Sequence, residues 1–180
     1  MKQISLLRNV FLANAICLVL FMPSSFPSPE YLHVLLNHVP LTGLIVASLG
    51  LLLSLVMRSA SAQVCALVLV LVCAGSAWPV YATGKGAYRH IRRIADEAGM
   101  DYLDEHLDRA DRFTIVYLPA ALSALGGLII PRFRQAARLP LAWATLGCTV
   151  VAIAAGIYIS EAGGKVRHPE FRTGPPASLM

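Results

Sequence analysis

The sequence predicts an all-α integral membrane protein: an antiparallel four-helix transmembrane bundle, with an N-terminal signal-anchor or fifth helix ahead of it. Three observations predict this class. Of 180 residues, 57% are hydrophobic and 14% charged, whereas a soluble domain runs about 45–50% apolar and roughly 25% charged. Four segments meet the requirement of about 20 largely apolar residues for a membrane span. Two of the three connections between them are only a few residues long, which makes chain neighbours antiparallel. Mean hydropathy is +0.65, a value foreign to disordered chains and disulfide scaffolds. The net charge of +5 reads as membrane topology and not as a nucleic-acid surface, because the basic residues stand beside long uncharged runs.

In chain order, Lys2 and Arg8 precede the apolar stretch Val10–Met22, which is shorter than a full span and about the size of a signal h-region. The Pro/Ser-rich stretch Pro23–Pro29 offers no clean small-x-small cleavage site, and Ile16 precedes Cys17 where a lipoprotein signal places a small residue. Residues 1–29 therefore read as an uncleaved signal-anchor and linker, with a removed signal as the alternative. The four spans follow as Tyr31–Met57, Ala60–Thr83, Phe113–Ile130 and Leu139–Ser160. Charge or a Pro/Gly breaker such as Pro131, Pro140 or Gly163-Gly164 bounds each of them. Residues 30–162 form the transmembrane domain, with an amphipathic loop over 85–111, and 163–180 form a polar tail. No repeat of 20–50 residues and no inverted pair is visible.

Charge sets the orientation. Lys2, Arg8, Arg58, Arg132, Arg134 and Arg138 fall on one face with no acidic residue among them. The positive-inside rule assigns that face to the cytoplasm. All 10 carboxylates then lie on the opposite, periplasmic face, which places the chain in a bacterial inner membrane.

All five histidines map to that same outer face. His38 is the most informative, two turns inside an apolar helix in Leu36-Asn37-His38-Val39-Pro40. Pro40 removes a backbone donor there, and ionisable residues within spans usually mark function. His106 lies on the apolar stripe Leu103, His106, Leu107, Ala110, Phe113, Thr114, Tyr117, one face of a helix that starts above the membrane near Asp101. Asp101, Asp104, Glu105, Asp108, Arg109, Asp111 and Arg112 take the other face. His33 stands five residues before His38, roughly 140° away around the helix, so the two do not share a face. His90, in the basic run Tyr88–Arg93, and His168, in the tail, are further candidates. The four cysteines lie in apolar segments with no C-x-x-C pattern, which leaves covalent haem and zinc knuckles unsupported. Thr83-Gly84-Lys85-Gly86 lacks the spacing of a phosphate loop and reads as the close of a helix.

Through Leu36-Asn37-His38-Val39-Pro40, Thr83-Gly84-Lys85-Gly86-Ala87, Glu105-His106 with Ala110, and Gly163–Glu170, the chain resembles the uncharacterised bacterial four-helix membrane proteins whose first helix carries H-x4-H-x-P. These are usually discussed beside b-type membrane cytochromes. The resemblance covers roughly Leu32–Glu170 and departs from the common pattern at Val34, which follows His33 where a proline is frequent, and at the additional His90. It implies the four-helix fold and points to His38 and His106 first, then His33 and His168.

The leading expectation is a cytochrome-like subunit, with His38 and His106 as axial ligands of a b-type haem. Arg89, Arg92, Arg93 and Arg112 would pair with its propionates, and Trp78, Tyr81 and Tyr117 would pack the pocket or anchor the interface. Electrons would pass between membrane quinol and an outer-face redox partner within a larger complex. A copper or zinc site built from three or more of the histidines, and a structural subunit docking through Asp96–Asp111, are the alternatives.

Overall fold

The computed structural model describes residues 27–172; the signal-anchor reading of the N-terminus falls almost wholly outside them, as does the end of the polar tail. Seven α-helices account for most of the described chain, and it contains no strand. They are α1 (Pro29–Leu36), α2 (Leu44–Val56), α3 (Ala60–Gly75), α4 (Ala77–Ile94), α5 (Glu97–Phe113), α6 (Tyr117–Ile129) and α7 (Arg138–Arg167). End to end they make four apolar rods, Pro29–Val56, Ala60–Ile94, Glu97–Arg132 and Gln135–Arg167, each long and apolar enough to cross a membrane.

Local chemistry explains the boundaries. The Ser28 hydroxyl accepts from Tyr31 N at 3.4 Å, with Pro29 in the first turn. Ser59 caps α3 through Ala62 N at 3.3 Å, and Asp96 caps α5 through Gly99 N at 3.1 Å. Pro40 does break the first rod, and the chain passes it in a wide turn over Val39–Gly43. Arg58, at φ 53°, turns the chain between the first two rods in the left-handed region. Pro79, Pro119 and Pro140 each fall at the third residue of a helix, where the missing N–H has no intrahelical partner to lose.

Two expected helix ends are not ends. Helix α4 runs through Gly84 and Gly86 to Ile94, and α7 runs through Gly163-Gly164 to Arg167. The segment read as a loop over 85–111 is thus two helical extensions joined by Ala95 and Asp96. Glycine at 86 serves close packing and does not end the helix: a Cβ there would stand 3.1 Å from Pro29 Cβ. The tail folds back only after His168. There Arg172 reaches Asp96 at 2.6 Å and donates to the carbonyls of Lys165 and Val166. The Arg172 guanidinium holds the Asp96 carboxyl below the usual carboxylate range.

In the half nearer Arg58, α2, α3, α6 and α7 close a ring, α2 on α3, α3 on α6, α6 on α7 and α7 on α2. In the other half the bundle divides into two pairs, α1 on α4 and α5 on α7. The core is built largely of small residues, with Ala47, Ala120, Ala124, Ala142 and Ala152 at 0–1% exposure, which lets backbones approach closely as membrane helices do. Outward-facing Val46, Leu49, Leu53, Val64, Leu122, Val150 and Ile157 are all exposed, as lipid contact requires.

The two hairpins repeat each other. Leu44, Ala47, Leu51 and Ser54 are buried on α2, and Tyr117, Ala120, Ala124 and Gly127, each 73 positions later, are buried on α6. Gln63, Ala66, Val70, Cys73 and Ala77 are buried in the second rod. Their counterparts 79 positions later in α7 are Ala142, Thr145, Thr149, Ala152 and Gly156, also buried. The helix contacts map onto each other in the same way. Of these nine pairs only Ala47/Ala120 is an identity, so the repeat shows in burial and hardly in residue type.

Candidate functional site

The same register brings two histidines face to face. His33 on α1 and His106 on α5 are equivalents 73 positions apart, and their ring centroids lie 6.4 Å from each other with planes crossed at 73°. Each ring is held in the same manner. His33 Nδ1 lies 3.0 Å from the Val80 carbonyl oxygen, and His106 Nδ1 lies 2.9 Å from that of Ile159; Val80 and Ile159 are equivalents 79 positions apart. A carbonyl only accepts, so each Nδ1 carries a proton, and in the neutral imidazole Nε2 keeps the lone pair. Among the described residues neither Nε2 makes a hydrogen bond.

A glycine backs each ring. A Cβ at Gly84 would stand 2.8 Å from His33 Cε1, and one at Gly163 would stand 3.0 Å from His106 Cε1. Only glycine at these equivalent positions lets an imidazole lie this close to the neighbouring helix. Both histidines are half-buried. Just past the end of α1, one turn from His33, the buried Asn37 Oδ1 has no hydrogen-bond partner, and its counterpart in the second hairpin is Ala110.

The other expected site residues are placed differently. His38 is exposed, and the five-residue step turns it away from the seam into which His33 points. His33, not His38, is therefore the imidazole that meets His106. His90, Arg89 and Arg93 are exposed on α4. Arg92 is engaged with Asp104 at 2.6 Å and with the Tyr88 hydroxyl. Arg112 pairs with Asp108 at 2.9 Å on the surface. His168 contacts Glu170 at 2.9 Å and stacks on Phe171. Trp78 is exposed and packs edge-on against Tyr81, while Tyr117 belongs to the core below the seam. Among the described residues no three His, Cys, Asp or Glu side chains converge in a way that could hold a metal ion.

Glu105 and Arg109, assigned from periodicity to the outward face of α5, are instead buried at 9% exposure each. Arg109 donates to Glu105 Oε1 and to the Tyr158 carbonyl, both at 2.5 Å, and to Glu161 at 3.2 Å. Its guanidinium carbon also lies 3.9 Å from the centre of the Tyr158 ring. The cluster clamps α5 to α7 one turn below His106. Arg109→Ala leaves Glu105 buried without its cation, which is expected to cost about 3 kcal/mol, read as a lower unfolding midpoint in detergent. The sequence signal for it was the i, i+4 spacing of Glu105 and Arg109. The glycine backing and the carbonyl anchors had none short of the repeat.

Compared with known protein families, with curated proteins and with solved structures, the chain finds no match in any of the three.

Proposed function

We propose that this protein is a haem-binding electron carrier of the inner membrane, in which His33 and His106 would hold one b-type haem in the seam between the hairpins. The observation that carries this reading is the facing pair itself. Two imidazoles that share one metal ion through nitrogen bonds of about 2.0 Å would hold their ring centroids up to roughly 6.3 Å apart. The observed separation is 6.4 Å. Each Nδ1–H is anchored on a backbone carbonyl, the outer-shell support that fixes the tautomer of a metal-ligating histidine and raises its basicity.

Bound haem would supply a one-electron ferric/ferrous couple. The chain's own residues would orient both imidazoles, exclude the bilayer from the seam and hold the helix pairs at a fixed distance. In the proposed orientation the seam lies at the periplasmic end, opposite Arg58, Arg132, Arg134 and Arg138. The electron donor is a membrane quinol and the acceptor an outer-face redox partner in a larger complex. The second and third rods, 35 and 36 residues long, exceed the roughly 30 Å hydrocarbon core by about 20 Å. Their outer ends, α4 and α5, offer that partner its surface.

A second reading has its own support: 6.4 Å with crossed planes also suits an ordinary edge-to-face ring contact, so the pair would serve as interhelical glue in a structural subunit. An absorption spectrum of protein purified in detergent, after expression with ample haem, separates the two. The haem reading expects a b-type pyridine haemochrome at about one haem per chain; a colourless, fully folded protein overturns it.

A further inference from the structure

The two hairpins turn differently at the end of the bundle away from the histidines. Across that turn the interval between equivalent residues rises from 73 to 79, so the second hairpin uses six more residues than the first. The first turns on Arg58. The second runs through two tight turns, Ile130–Arg132 and Gln135–Ala137, and carries Arg132, Phe133, Arg134 and Arg138. This connection is braced. Pro131 is buried. The Ile130 carbonyl accepts from Phe133 N at 3.0 Å and from Arg134 N at 2.9 Å, and the Arg134 carbonyl accepts from Ala137 N at 3.0 Å. On that frame Phe133 is 88% exposed, the most exposed large hydrophobic side chain among the described residues.

The arginines around it lack anions. Arg58, Arg132 and Arg134 are exposed and Arg138 is half-buried, and among the described residues no side chain pairs with any of the four. At the opposite end Lys85, Arg92, Arg109, Arg112, Lys165 and Arg172 each meet a carboxylate. No carboxylate occurs between Glu30 and Asp96 or between Asp111 and Glu161, so counter-charge for the four arginines comes from outside this part of the chain. A guanidinium presents a fork of donors matched to phosphate oxygens. Depth selects which phosphate. Trp143, 55% exposed, lies about 7.5 Å along α7 from Arg138, and tryptophan collects at the membrane boundary. That puts the arginines at headgroup height, and the bilayer is the phase that removes Phe133 from water. Orientation alone asks only for basic residues in a short loop; it asks for no braced turn with a phenylalanine at its tip.

We propose that the Ile130–Arg138 connection, together with Arg58, is a docking surface for anionic phospholipid, with the arginines on headgroup phosphates and Phe133 seated among the acyl chains beside them. The surface depends neither on haem nor on which way the chain faces.

The two tryptophans of the chain allow each end to be read separately. In Trp78→Phe, Trp143 reports on the arginine end; in Trp143→Phe, Trp78 reports on the other. Each full-length variant is reconstituted into phosphatidylcholine vesicles, and fluorescence quenching is compared for dibrominated phosphatidylglycerol and dibrominated phosphatidylcholine at equal mole fractions. At Trp143 the relative binding constant should favour phosphatidylglycerol by about threefold or more. It should fall part of the way in Arg134→Gln and to near one when Arg132→Gln, Arg134→Gln and Arg138→Gln are combined, with circular dichroism showing unchanged helix content. Inorganic phosphate should weaken the preference no more than chloride at the same ionic strength. Equal quenching by the two lipids at Trp143, a preference of the same size at Trp78 (attraction to net charge), a preference kept without the three arginines, or its selective loss in phosphate (a free-phosphate site) overturns the proposal.

Discussion

Replacing His33 with alanine is expected to reduce haem retention to background, as is replacing His106, while His38→Ala retains the wild-type spectrum. The asymmetry follows from geometry. His33 and His106 face one another with both Nδ1 atoms engaged and both Nε2 atoms available, and His38 is exposed on another side of the same chain segment. The measurement is haem per chain by pyridine haemochrome, with circular dichroism to show that helix content is kept. Loss of haem in His38→Ala together with retention in His33→Ala would restore the pairing read from the sequence and remove the basis for the seam site. Where haem is retained, the 73° crossing of the two rings would give the ferric protein a highly anisotropic low-spin resonance, in contrast to the rhombic signal of parallel rings.

The glycine backing carries the second large effect. In Gly163→Ala the new methyl stands 3.0 Å from His106 Cε1, and in Gly84→Ala it stands 2.8 Å from His33 Cε1. A helix backbone does not yield as a flexible side chain does, so the imidazole must move and its Nδ1–H···O bond lengthens. Alanine is the better helix former by about 1 kcal/mol, and relief of strain by ring movement keeps the helices intact. The expected outcome is a stable protein with haem affinity lowered roughly 10–100-fold, the usual cost of disturbing the support of a metal ligand. Titration of the apoprotein with haemin measures it. Gly147→Ala is the matched control, since a Cβ there meets nothing within 4 Å. Equal affinities in all three variants would mean that ring placement by the glycines has no bearing on the site.

The sequence made the membrane class legible because it depends on sums and periods. Four apolar runs of spanning length predict four rods, and caps such as Ser28, Ser59 and Asp96 sit at the helix starts where residue type says they should. The stripe through His106 proved inward-facing except at Phe113, which is exposed, since 3.6-residue periodicity is a property of one helix alone. Glu105 and Arg109 defeated the same argument: their charges read as a solvated face, yet α7 supplies a carbonyl, a carboxylate and an aromatic ring that make burial tolerable. Gly84, Gly86 and Gly163 defeated the breaker rule for a related reason. A glycine that ends a helix and one that admits a neighbour's ring look identical until the neighbour is known.

What the sequence by itself determined is the class, the four rods and the gathering of histidines towards one end, all consequences of solvent partition and helical period. Which histidines meet was decided only by the tertiary structure. His38 is the more conspicuous in the chain because it sits beside a proline in an apolar run. His33 is the one that faces His106 because both occupy equivalent positions in a duplicated hairpin. That duplication is written in burial, position by position at intervals of 73 and 79, and survives in few identical residues. Packing against lipid and small-residue cores constrains side-chain size and polarity far more than identity, so the repeat emerges only once the helices are laid side by side.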